Sequence, residues 1–167
     1  AQHRQAGRLV TETVELGDHV DFAAGSTPPI RATEGCHPIY GANGPIGFTT
    51  QPNARGPLIV IGRVGSYCGS VHYCAGDVWV TDNALIGRAK NPDETRYWFY
   101  ALKSCGLNRF RAGSGQPSLS QSTLRSVRFE AVPAPRRRPI GELLGAFDDK
   151  IAANDRVIAV AEALMTA

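Results

Sequence analysis

The feature that most constrains this chain is the apolar spacing of its last stretch, Ile140 to Met165. Ile140, Leu144, Phe147, Ile151, Asn154, Ile158, Ala161 and Met165 follow one another at steps of 4, 3, 4, 3, 4, 3 and 4. Such a heptad seam predicts a helix packed lengthwise on another helix. Asn154 occupies a seam position, where a polar residue fixes register and partner number at some loss of stability. Leu143, Val157 and Leu164 form a second row that widens the apolar face beyond a two-stranded zipper. Two outcomes fit the pattern: a terminal helix folded back on its own domain, or an arm packed on a helix that this chain does not contain. The seam is still running where the sequence stops, with no Gly or Pro to end it, which favours the arm.

A chain of 167 residues suggests one domain with room for an appendage. With 43% hydrophobic and 20% charged residues, it reads as globular and soluble rather than disordered. No apolar run approaches the ~20 residues of a membrane-spanning helix, and no secretory signal pattern opens the chain. The four cysteines have no framework spacing, so they are read as free thiols in a reducing cytoplasm. The net charge of +3 is uneven. From Pro139 onward, Glu142, Asp148, Asp149, Asp155 and Glu162 face only Lys150 and Arg156, which leaves the arm at −3 and the remainder at +6. A basic body suits a polyanion partner and an acidic arm a protein partner.

Taken in order, residues 1–15 are polar and are read as loosely held, and Val14 to Phe22 as a short helix or strand. Ala23 to Gly35 is expected to be loop, from Gly25, Pro28 and Pro29. The segment 37–49 (HPIYGANGPIGFT) is expected to be backbone-shaped rather than a regular element. Leu58 to Gly65 is the clearest buried strand, a β-branched run after Gly56-Pro57. Ser70–Cys74 and Val78–Thr81 follow as strands, with a turn at Gly76-Asp77. A helix starts at Asn91 (N-cap), Pro92 and Glu94 and stops at Gly106. Residues 109–117 form a Gly/Ser loop, Leu119 to Leu124 a short helix capped by Ser118 or Ser120, and Val127 to Val132 an edge strand. Pro133, Pro135 and Pro139 with Arg136, Arg137 and Arg138 are expected to form a hinge. The resulting fold is α+β: a twisted, mostly antiparallel, barrel-like sheet domain over 1–135, then a hinge and long helix over 136–167.

Signals for catalysis are weak. Cys36, His37, Cys68, His72, Cys74 and Cys105 include no C-x-x-C pair, so no zinc site is expected. There is no G-x-S-x-G elbow. Residues 113–117 lack the Lys-Ser/Thr of a phosphate loop, and 62–66 is not a dinucleotide fingerprint. Pro92-Asp93 with Asp148-Asp149-Lys150 superficially matches nuclease carboxylates, but one pair opens a helix and the other lies on the seam helix. Nucleic-acid binding fares better. Arg63, Arg88, Lys90, Arg96, Arg109, Arg111, Arg125 and Arg128 run through the sheet region, and Tyr67, His72, Tyr73 and Gln116 lie near loops. Side chains of these kinds reach base edges and phosphates.

Four segments together resemble a known family. They are 37–47 (HPIYGANGPIG); 58–71 (LIVIGRVGSYCGSV) with 79–83 (WVTDN); 114–119 (SGQPSL) before a strand and a Pro-rich stretch; and 147–151 (FDDKI) with Asn154. In this order they resemble the target recognition domain and adjoining helix of a type I restriction–modification DNA specificity subunit, over roughly Leu16 to Met165. The resemblance implies a DNA reader with no chemistry of its own, which holds methyltransferase subunits on double-stranded DNA while a restriction subunit joins the complex. It places S-adenosylmethionine on the methyltransferase, so no cofactor is expected on this chain. Full-length members carry two recognition domains and two long helices. This chain has one of each, so it is expected to act as a half subunit that pairs with a second copy through Leu144, Phe147, Ile151, Asn154, Ile158, Ala161 and Met165. Such a dimer would read a split, palindromic target. The expected DNA-contacting residues are Arg63, Ser66, Tyr67, His72, Tyr73, Arg109, Arg111 and Gln116. Two other readings stand beside this one: a recognition module of a larger fused restriction–modification enzyme, and an oligomeric interaction protein that never touches DNA.

Overall fold

The Leu58–Gly62 run is apolar at every position because it is covered on both sides. In the computed structural model, which describes residues 10–32, 35–113 and 115–166, this strand is fully buried. Alternate side chains point to opposite faces of a strand. Ile59 and Ile61 enter the larger core with Trp98, Leu102, Leu107 and Leu124. Leu58 and Val60 enter a second, smaller core with Val78, Val80 and Cys74.

The first elements are β1 (Glu12–Glu15), a single helical turn α1 (Leu16–His19) and β2 (Val20–Ala24). Both readings of 14–22 are therefore partly right. Next come β3 (His37–Gly41), β4 (Gly44–Thr49), β5 (Leu58–Gly62), β6 (Val71–Cys74), β7 (Trp79–Val80) and β8 (Ala84–Ala89). The main sheet is ordered β2-β8-β5-β6 and is antiparallel throughout. A second sheet is ordered β4-β3-β7, and its β3–β7 pair is parallel. The two sheets are open, without closure into a barrel.

The expectation that 37–49 forms no regular element is corrected: it is an antiparallel hairpin, with a register shift between Ile39 and Tyr40. Gly44 serves the turn with φ +96°, β3 and β4 pair with each other, and β7, which is distant in sequence, adds a third strand alongside β3. Strand β2 also runs two residues, Ala23 and Ala24, into the stretch expected to be loop.

Asn91 caps the next helix as expected, accepting the Asp93 N–H at 3.3 Å. A 3-10 turn over Pro92–Glu94 leads into α2 (Thr95–Ser104). Glu94 meets the cap through its side chain, accepting from Asn91 Nδ2 at 3.2 Å, and it is buried and accepts the Trp98 Nε1–H at 2.9 Å. The short helix α3 (Gln121–Arg125) is capped by Ser120, whose Oγ accepts the Thr123 N–H at 3.0 Å. Strand β9 (Arg128–Ala131) then pairs with β1.

The long helix α4 runs over Ala134–Thr166. The hinge expected around Pro133–Pro139 is corrected, since this segment is the first part of α4. Pro135 sits in the first turn, where its missing N–H has no intrahelical partner to lose. Arg137, expected in that hinge, is 2% exposed. It donates to Val132 O (2.9 Å), Glu94 Oε2 (3.4 Å), Glu12 Oε1 (2.6 Å) and meets His19 Nδ1 at 3.2 Å, with the Trp98 ring 5.0 Å away. The helix thus starts rigidly on the sheet domain. Gly141 and Gly145 are buried one and two turns further along, and Ile140 packs on the larger core, whereas the seam from Phe147 onward is exposed: Phe147 is 59% exposed, Ile151 57% and Ile158 54%. The folded-back alternative therefore fails for the seam. The docked face lies about 100° round the helix from it.

Candidate nucleic-acid interface

One end of the main sheet gathers four loops, and backbone hydrogen bonds lock them to each other. Arg63 leaves β5 with its N–H on Asn83 O (2.9 Å) and its carbonyl accepting the Leu119 N–H (2.8 Å). Gly65 turns at φ +72° and donates to Pro117 O at 3.0 Å. A 3-10 turn over Gly65–Tyr67 presents Ser66 and Tyr67 to solvent. The chain then folds back, with Gly69 N–H on Gly62 O at 2.8 Å. Gly69 has φ +90°, and a Cβ there would lie 2.5 Å from Asn108 N, so the 63–70 and 106–110 loops touch at the backbone. The Ser70 hydroxyl donates to Ala42 O, which ties in the β3–β4 turn. Ala112 and Ser118 exchange two hydrogen bonds of 2.9 Å and close the last loop on the same end.

Arg63, Ser66, Tyr67, Arg109, Arg111 and Gln116 all belong to this end. Arg109 lies over the Phe110 ring at 4.8 Å and reaches Cys105 Sγ at 4.0 Å. Burial raises the Cys68 thiol pKa, and the positive charge of Arg111 opposes that rise. Among the described residues, Arg63, Arg109 and Arg111 pair with no carboxylate, unlike Arg96, Arg137 and Arg138. Sequence reasoning missed three exposed amides at the same end: Asn43, Asn83 and Asn108. In the sequence, Asn43-Gly44 and Asp82-Asn83 signal only turns. Their convergence depends on how the loops meet.

His72 and Tyr73 are placed elsewhere. Both lie on β6 and line a cleft of about 340 Å³ between β6, α2 and α4. The His72 ring is 6.0 Å from that of Tyr40, and its buried Nε2 has no hydrogen-bond partner among the described residues. Burial, then the charge of Lys103, lowers its pKa below the usual 6.5. Tyr73 packs on Phe99 and carries the Arg96 guanidinium 5.0 Å above its ring. Burial also pushes the Cys74 thiol up to about 11, which leaves it an inert core group. Among the described residues no three of His, Cys, Asp and Glu come together as a metal site, and no helix is long and apolar enough to cross a membrane. The arrangement offers hydrogen-bond donors, amides and unpaired guanidinium groups on a rigid loop platform.

Residues 11–163 match the model of a family described as the type I restriction modification DNA specificity domain. The chain is 27% identical over 112 residues to the type I restriction enzyme EcoprrI specificity subunit of Escherichia coli, covering 67% of this chain and 28% of that protein. The fold is similar to the crystal structure of the type I restriction–modification S subunit from M. genitalium, with TM-score 0.81 and 17% identity over 94% of this chain and 44% of that one. It is also similar to the HsdS subunit from Thermoanaerobacter tengcongensis, with TM-score 0.60 and 20% identity over 93% and 42% of the two chains. The chain spans less than half the length of each of these relatives.

Proposed function

This chain belongs to the type I restriction modification DNA specificity domain family, and on that premise we propose that it reads a DNA sequence through the loop end of its main sheet. It carries no catalysis and no cofactor of its own. S-adenosylmethionine and base methylation belong to a methyltransferase subunit that it positions, and cleavage to a restriction subunit that joins the complex in the cytoplasm. The observation that carries this reading is the convergence of Arg63, Tyr67, Asn83, Asn108, Arg109, Arg111 and Gln116 on one rigid end. Asn and Gln match the adenine edge, Arg matches guanine, and any of these arginines can hold phosphate. The exposed seam of α4 packs on the corresponding helix of a second copy, so two recognition ends face two halves of a bipartite target.

The test is salt-dependent binding of duplex DNA by the chain in complex with its methyltransferase. Arg109→Ala and Arg111→Ala should weaken binding across all sequences, and each phosphate contact removed should lower the salt slope by about one. Gln116→Ala should relax one position of the target at a loss of about 1–3 kcal/mol. Unchanged binding after all three substitutions would place the DNA on another face. An oligomer that forms with no DNA binding in the complex would favour an interaction module instead.

A further inference from the structure

Helix α4 touches the Pro92–Glu94 turn and then α2 along successive turns. Asp93 pairs with Arg138 at 3.3 Å, Glu94 with Arg137 at 3.4 Å, and Tyr100 Oη–H with Asp148 Oδ2 at 2.6 Å, so the two helices run in the same sense. The approach between them is unusually close. A Cβ on Gly141 would lie 2.6 Å from the Tyr97 backbone N, and one on Gly145 would lie 1.9 Å from Arg96 Nη1. The empty position at Gly145 lets Arg96 pass under α4 from the Tyr73 ring to Asp149, whose Oδ1 it reaches at 3.0 Å. Three elements, β6, α2 and α4, are joined through that one guanidinium. Beyond Ala152 the helix makes no polar side-chain contact with the sheet domain among the described residues.

The helix is therefore held from its root at Arg137, past the close approach at Gly141, to the Asp148–Asp149 clasp, a span of about 17 Å at 1.5 Å per residue. Two fixed points define the direction of a rod. The free part beyond the clasp is about 25 Å long, so a swing of about 10° moves its end by about 4 Å, more than the ~3.4 Å step between base pairs. We propose that the clasp of Arg96 and Tyr100 on Asp149 and Asp148, seated by Gly145, is a specificity-determining device: it sets the bearing of α4 and hence the number of base pairs between the two half-sites that are read. This rests on the DNA-specificity reading above. The clasp residues act through the helix and touch no base, so they are positioning residues.

The experiment uses the full chain with its methyltransferase. The target is first mapped from the methylated sites in cells that carry both, and duplexes are then made with the spacer shortened or lengthened by single base pairs. Asp148→Asn with Asp149→Asn, and separately Tyr100→Phe, which keeps the ring and removes only the hydroxyl bond, are compared with the parent. The expected result is that preference for the native spacer over its neighbours falls by about tenfold in the double variant and less in Tyr100→Phe, while binding of a duplex with one half-site changes by less than about twofold. Asp149→Glu, which keeps the charge on Arg96, should retain the parent's preference. Variants that keep the parental spacer preference overturn the proposal, whether or not their overall rate falls. So do variants whose half-site binding falls in step with methylation at every spacing. A parent complex that methylates no target at any spacing overturns the specificity reading itself.

Discussion

The two halves of α4 lie in one continuous helix and obey opposite rules. The first half docks through Arg137, Gly141 and Gly145, the buried ones, while its own Leu143 and Phe147 stay exposed. The second half carries Ile151, Val157, Ile158, Val160 and Leu164, and leaves them all exposed. Hydrophobicity marks a face that will be covered, and it does not say by what. Small residues mark where backbones can approach closely, and a buried charge marks where a network of partners is waiting. The domain uses the second and third devices to hold the helix and leaves the apolar row exposed.

This contrast can be broken at its strongest point. Arg137→Ala strips Glu94 and Glu12 of their cation and leaves Glu94 buried beside Trp98. Removing one partner of a buried pair typically costs about 3–5 kcal/mol, so the thermal midpoint should fall by on the order of 10 °C. A drop of only a degree or two would mean that the root is not where the domain holds the helix. Gly141→Ala should come next. The added methyl meets the α2 backbone, and overpacking of about 1–3 kcal/mol outweighs the better helix propensity of Ala. Urea unfolding is the measurement, and a gain in stability would disprove the close approach.

Ile151→Asp with Ile158→Asp sharpens the other side of the comparison. Both side chains are more than half exposed, so the domain's unfolding should be almost unchanged. Light scattering should instead show the loss of the paired species, and a parent that is monomeric at tens of micromolar would refute pairing through the seam. The smallest effect is that of pH. Burial, then the charge of Arg137, lowers the pKa of His19 below 6.5, and burial, then Lys103, lowers that of His72. The fold disfavours the charged form of both rings. Their contribution is therefore fully present above about pH 6.5 and is lost as pH falls below it, because the unfolded chain binds more protons there. His19→Gln should flatten part of this slope in thermal melts at the root, and Ile158→Asp should leave it untouched.

Much of the fold was legible in local pattern. The β-branched run at Leu58–Ile61, the Asn91-Pro92 helix start, the Ser120 cap and the heptad steps after Ile140 are all set by neighbours within a few residues, through pleat alternation, capping and the 3.6-residue turn. The candidate interface was partly legible too: six of the eight expected residues fall on one loop end, because Gly-rich turns between strands mark where side chains can leave the sheet.

Other features depended on contacts far apart in the chain. The 37–49 segment reads as irregular because the strand that completes its sheet, β7, lies some thirty residues on. His72 and Tyr73 are only five or six residues from Tyr67 yet face a different cleft, since β6 carries the chain away from the loops and against α2. Asn43, Asn83 and Asn108 come to the same end only because the 63–70 loop meets the loop of each. The hinge expected at Pro133–Pro139 is helix because Arg137 finds Glu12, Glu94 and Val132 O waiting, and no local propensity encodes partners up to 125 residues away. The sequence by itself determined that a long helix with a continuous apolar seam follows Ile140, since heptad spacing is a local property. Which face of that helix docks was decided by tertiary structure alone, because it depends on where another helix leaves room for a glycine and a partner for a charge.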